Sequence, residues 1–166
     1  MSGQGYYLKA LTAAIKDALP EKCRRGLDSW MENGTIQLCP KDQGQGVDVG
    51  RLQYDAVIYI ERLPFREADP ATVLAIVAGW LQDHDDEREG LELPDPTYAV
   101  TPDDDNTADL EITVTFSEPL RLLPDVNGPV RYDGQRYTVA PYEIWVAEHG
   151  ELTVGSLPDA PLDGQP

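Results

Sequence analysis

A chain of 166 residues, 41% apolar and 26% charged, has the balance of one ordinary folded domain and leaves no room for a second of normal size. The 30 acidic residues outweigh 13 basic ones, and the formal net charge of -17 repels a phosphate backbone, which excludes direct nucleic-acid binding unless Arg62, Arg66, Arg131 and Arg136 gather on one face. The longest apolar run, VLAIVAGWL, falls far short of the ~20 residues that span a bilayer, and MSGQGYY lacks the basic and apolar regions of a secretory signal; a soluble intracellular protein with Cys23 and Cys39 reduced is expected.

Residues 6–19, YYLKALTAAIKDAL, set Leu8, Leu11, Ile15 and Ala18 at helical spacing, with Lys9, Lys16 and Asp17 on the other side and Pro20 as the stop. This predicts an amphipathic helix. In GLDSWMENGTIQLCP, Asn33 and Gly34 both tolerate positive φ and predict a two-residue hairpin turn between strands of about six residues. Trp30, just ahead of that turn, is a candidate exposed contact. The segment 41–50, KDQGQGVDVG, has Gly44 and Gly46 where a strand would need side chains and reads as a flexible loop able to reach a neighbouring subunit. LQYDAVIYIERL then alternates, with Leu52, Tyr54, Ala56, Ile58 and Ile60 on one face, and predicts a strand.

ADPATVLAIVAGWLQDHDDE opens with Asp69 as N-cap and Pro70 as first helical residue, and Val73, Leu74, Val77, Trp80 and Leu81 form its buried face. Its acidic end, residues 83–89, opposes the negative pole of the helix, so it either frays or faces something positive. Residues 91–96, with two prolines, form a connector. DLEITVTF, residues 109–116, alternates Leu110, Ile112, Val114 and Phe116 against Glu111, Thr113 and Thr115, a strand with one wet face. RYDGQRYTVAPYEIWVAEHGELTVG carries turn signals at Asp133-Gly134 and His149-Gly150 and predicts hairpins. Trp80 and Trp145 are expected as core or half-buried packing residues.

Residues 1–155 therefore form one domain, and the proline- and glycine-rich 156–166 form a flexible arm. The order of elements predicts an α+β fold: two main helices packed on one face of a mainly antiparallel sheet, with extra β-hairpins toward the C-terminus.

Catalytic and metal motifs do not emerge. Asp103, Asp105 and Thr107 fall at positions 1, 3 and 5 of a calcium loop, but the glycine required at position 6 is Ala108 and the glutamate at position 12 is Val114. His84 and His149 stand in no zinc spacing, although residues 84–87, HDDE, offer ligand types. The serines lack a nucleophile elbow, and GQGVDVG lacks the strand-to-helix context and the GK[ST] of a phosphate loop. No catalytic, metal or cofactor-binding residue is assigned.

Taken in order, LKALTAAIKDALP, MENGTIQLCP, LQYDAVIYIERL with DPATVLAIVAGWLQDH, DDDNTADLEITVTFSEPL and PYEIWVAEHGELTVG resemble the P2-type phage tail completion protein R family across residues 8–155. The resemblance implies a structural protein of the virion, made in the host cytoplasm, with no catalytic residues. It implies an α+β subunit that forms a ring, a sixfold one in related terminators, at the head-proximal end of the tail. The partners it implies are other copies of itself, tail tube or sheath proteins and the head connector, with DNA passing through the lumen unread. Polymerisation would stop because the ring offers no surface for another tube subunit. Under this reading Trp30, Gly44, Gly46, Asp103, Asp104, Asp105, Arg131 and Arg136 are the candidate interface residues. The charge alone admits a rival, an acidic regulator or DNA mimic that binds a basic protein.

Overall fold

Residues 7–42, 44 and 46–140 are described by a computed structural model. The chain forms α1 (Tyr7–Ala18), a short α2 (Glu21–Arg24), β1 (Leu27–Asp42), β2 (Val47–Leu63), α3 (Pro70–His84), β3 (Thr97–Pro102), β4 (Ala108–Pro124), β5 (Val130–Tyr132) and β6 (Gln135–Val139). The six strands make one antiparallel sheet in the order β1-β2-β4-β6-β5, and β3 also pairs with β4, so the architecture is α+β.

The alternations read from the sequence build the core. Tyr54, Ala56, Ile58 and Ile60 of β2 and Leu110, Ile112, Val114 and Phe116 of β4 are buried in one cluster with Leu8, Leu11 and Ile15 of α1 and Val73, Val77 and Leu81 of α3. Burying an aliphatic or aromatic side chain of this kind stabilises by about 1.5–3 kcal/mol, so this cluster is what fixes the helices to the sheet. Leu19, rather than the expected Ala18, closes the α1 face: Ala18 is exposed, because the chain turns at Pro20 and brings Leu19 back under the helix. Asp69 caps α3 as expected, its Oδ1 accepting from Ala71 N at 2.9 Å, with Pro70 in the first turn.

The hairpin expected at Asn33-Gly34 is not formed. β1 runs straight through, because both flanks pair with the 17-residue β2 rather than with each other. Glu32 pairs with Asp55 and Thr35 with Gln53, so one extra residue is accommodated as a bulge, and the positive φ of Asn33 (53°) serves that bulge.

The loop expected at 41–50 is also replaced by pairing. The ladder of β1 and β2 runs on to Asp42 and Val47, leaving a tight connection that includes Gly44 (φ 78°). Gly46 and Gly50 are needed for close approach, not mobility. A Cβ on Gly46 would lie 2.5 Å from Leu122 O, and one on Gly50 would lie 2.4 Å from Gln37 O.

β3 lies in a stretch with no buried period: all six of its residues are exposed, and it is held by its register on β4, Thr97 opposite Thr113 through Pro102 opposite Ala108. β4 continues eight residues past Phe116. Asp133 and Gly134, at φ 51° and 76°, form the expected primed turn between β5 and β6. His149-Gly150, Trp145 and the arm 156–166 lie outside the described residues.

Candidate functional surface

The acidic cluster 103–105 is the turn joining β3 to β4. Asp104 is its organiser: Oδ1 accepts from Asn106 N at 2.7 Å, Thr107 N at 2.8 Å and Thr107 Oγ1 at 3.2 Å. The two backbone donors hold this carboxyl below the usual range. Asp103 N and Asp104 N both donate to Thr107 O, at 3.0 and 3.3 Å. Positive charge approaches from the end of β2 and beyond, with Arg62 Nη2 4.0 Å from Asp104 and Arg66 Nε donating to Asp105 O at 3.3 Å. Among the described residues, no group of three or more His, Cys, Asp or Glu side chains is arranged to hold a metal ion.

This turn joins a surface strip on the side of the sheet opposite the core. Asp109 accepts from Arg62 N at 2.9 Å and from the Tyr59 hydroxyl, a bond that pushes the Tyr59 pKa up to about 12. The Tyr59 ring lies 6.4 Å from that of half-buried Trp30, whose Nε1 donates to Glu32 at 2.7 Å. Trp30 and the three aspartates thus belong to one strip across β1, β2 and β4.

Gly46, Arg131 and Arg136 fall at the other end of β4. Gly46 abuts Leu122, and β6 pairs with Leu122 through Pro124. Arg131 and Arg136 stand opposite each other in the β5–β6 hairpin, with Arg136 donating to Gly128 O at 3.0 Å. The candidate interface is therefore two patches. The four arginines on which a basic face would depend are likewise divided, Arg62 and Arg66 at one end of β4 and Arg131 and Arg136 at the other.

The chain also buries polar groups that were not anticipated. Glu118 on β4 is 3% exposed; its carboxylate accepts from Tyr7 N at 3.0 Å and from the Tyr54 hydroxyl, which itself accepts from Leu8 N at 3.3 Å. Burial pushes its pKa up to about 7, against the hydrogen bonds from Tyr54 and Tyr7. The signal was present: the core phase of Leu110, Ile112, Val114 and Phe116 reaches Glu118 next. Asp85, after the last turn of α3, is 2% exposed and pairs with Arg88 at 2.7 Å, and Arg88 also donates to Thr115 O at 3.2 Å and Pro94 O at 2.8 Å. The helix itself ends at His84, and the acidic stretch beyond it meets a cation from β2, Arg51 Nη2 lying 3.2 Å from Glu87. His84 stacks on Trp80, with centroids 4.8 Å apart.

Between α3 and the start of β3 lies a groove of about 620 Å³, floored by Val77, Leu81 and Ile112 and bordered by Tyr98 and the 85–96 segment.

A family model described as P2 phage tail completion protein R (GpR) matches residues 5–141. An uncharacterized 19.2 kDa protein in the rep-hol intergenic region of Haemophilus phage HP1 (strain HP1c1) is 32% identical over 145 residues, covering 87% of each chain. No solved structure matches.

Proposed function

The chain belongs to the P2 phage tail completion protein R family, and from that premise we propose that it forms a ring at the head-proximal end of the tail, stops tube or sheath growth and presents the surface that joins the head connector. The family is one of structural tail proteins, and a role in tail completion as a virion component follows from membership. The ring, its sixfold order and its docking partners are the proposal.

The observation that carries the ring is a pair of outer strands on opposite sides of the sheet, β1 and β3, with β5 the outer strand at the far end of β4. On one side β1 is the last strand and exposes Ile36 (59%) and Leu38 (83%). On the other, β3 exposes Tyr98 (61%) and Val100 (43%). Three antiparallel steps separate the two strands, so β1 and β3 run in opposite senses. A neighbour placed by rotation would meet β1 with its own β3 in antiparallel fashion, and head-to-tail contacts of this kind give a ring where the rotation closes and an open filament where it does not. The acidic strip around residues 103–105 then faces the lumen or a basic tail protein, and an acidic lumen lets DNA pass without holding it.

Electron microscopy of the purified protein, alone and added to tails that lack it, tests the proposal. Rings, or density capping the tail, are expected. A strictly monomeric protein that leaves such tails bare and uncapped would overturn it.

A further inference from the structure

We infer that the groove between α3 and β3 is a docking site for a basic segment of a partner protein that inserts an apolar side chain between two or more lysines or arginines. The inference deepens the tail-completion reading, and only the identity of the partner as a tail protein rests on that reading.

The groove's volume of about 620 Å³ lies inside the ~300–1,000 Å³ typical of ligand clefts. Its floor is apolar, with Val77, Leu81 and Ile112 each at most 6% exposed. Its rim is acidic: Asp86, Glu89 and Asp95 line it and are exposed, and none makes an ion pair among the described residues. Among the described residues the one cation in the wall, Arg88, is already committed to Asp85, Thr115 O and Pro94 O and does not neutralise that rim.

Charge selects the occupant. Residues 141–166 contain Glu143, Glu148, Glu151, Asp159 and Asp163 with no lysine or arginine, and residues 1–6 carry no charged side chain, so the chain's own ends do not complement the rim. A second copy carries a formal net charge of -17 and is no better suited. An apolar floor beneath three carboxylates that make no ion pair among the described residues fits a basic partner, whose charges speed the encounter and whose apolar side chain supplies the burial.

The test uses the full-length protein and fluorescein-labelled hexapeptides read by anisotropy. KRLFRK should bind at least tenfold more tightly than KRSGRK, which keeps the charge, and than EDLFDE, which keeps the apolar pair. Ala78→Trp, which fills the groove from its exposed wall, and the surface double variant Asp86→Lys with Glu89→Lys should each weaken KRLFRK at least tenfold. Equal binding of either control peptide, no binding at all, or unchanged binding to both variants would overturn the inference. So would loss of self-association in Ala78→Trp by light scattering, which would make the occupant a second copy. A tenfold gain in peptide affinity on removing residues 156–166 would make it the chain's own arm and would also overturn it. The two readings fail separately: wild-type protein that binds KRLFRK but ignores tails sinks the tail role, whereas wild-type protein that completes tails but does not bind KRLFRK sinks the groove.

Discussion

Glu118 Oε1 accepts a hydrogen bond from the backbone N–H of Tyr7 at 3.0 Å, across 111 residues of sequence. A buried carboxylate on β4 therefore supplies the acceptor that the first turn of α1 lacks locally, and the Tyr54 hydroxyl, bonded to the same carboxylate, takes up the next N–H at Leu8. The start of α1 is thereby tied to the sheet.

That carboxylate makes stability depend on pH. Its folded pKa is raised from 4.5 to about 7, chiefly by burial, so the folded chain binds the proton more tightly than the unfolded one. The associated stability is fully present below pH 4.5 and is lost as pH rises through about 7, an effect on the order of 3 kcal/mol. Glu118→Gln removes the titration. The difference in unfolding free energy between wild type and Glu118→Gln, from urea titrations at pH 5 and pH 8, should shift by that order in favour of the variant at pH 8. An unchanged difference would mean that Glu118 does not titrate in this window.

Two glycines should respond in opposite directions to the same substitution. At Gly50 a Cβ would meet Gln37 O at 2.4 Å, so Gly50→Ala forces β1 from β2 and should cost about 1–3 kcal/mol. At Gly79, within α3, a Cβ meets nothing within 4 Å, and Gly79→Ala should add roughly 0.5–1 kcal/mol through helix propensity. Urea midpoints of the two variants on either side of wild type would bear this out.

How far the fold was legible follows from where each element gets its order. α3 and the middle of β2 carry their own periodicity and cap, so Asp69, Val73 and Ile58 could be placed from sequence. The bulge at Asn33 could not, because a pair that tolerates positive φ looks the same in a hairpin and in a bulge, where only Asn33 takes it; the choice depends on β2, which comes later in the chain. β3 has no buried face and exists only through its partner. For the candidate surface, the aspartates were visible as a cluster, but their separation from Arg131 and Arg136 is a matter of strand order, which spacing does not encode.

The β3–β4 turn holds one structural carboxylate and two carboxylates that remain candidates for docking. All three aspartates are exposed, but Asp104 serves three donors of its own loop, whereas Asp103 takes a longer bond from Thr107 Oγ1 at 3.5 Å. Asp104→Ala should therefore loosen the turn, seen as faster amide exchange at Asn106 and Thr107. Asp103→Lys with Asp105→Lys should leave the thermal midpoint within about 2 °C of wild type, as for surface changes generally, while lowering association with tails in co-sedimentation. Tail binding unaffected by the charge reversal would remove this turn from the docking surface.

Arg88 tests whether buried polar groups hold the 85–96 segment in place. Its guanidinium satisfies Asp85, at 2% exposure, and the carbonyls of Thr115 and Pro94 at once. Burial pushes the Asp85 pKa up, and Arg88 pulls it back toward the ionised form. Arg88→Ala strands a buried carboxylate and two acceptors, and should cost about 3–5 kcal/mol. Arg88→Lys keeps the charge but not the planar fork that reaches three acceptors, and should fall between the two. Adding Asp85→Asn to Arg88→Ala should recover part of the loss, because the stranded charge is gone. A double variant no more stable than Arg88→Ala by urea unfolding would place the cost in the lost carbonyl contacts rather than in Asp85.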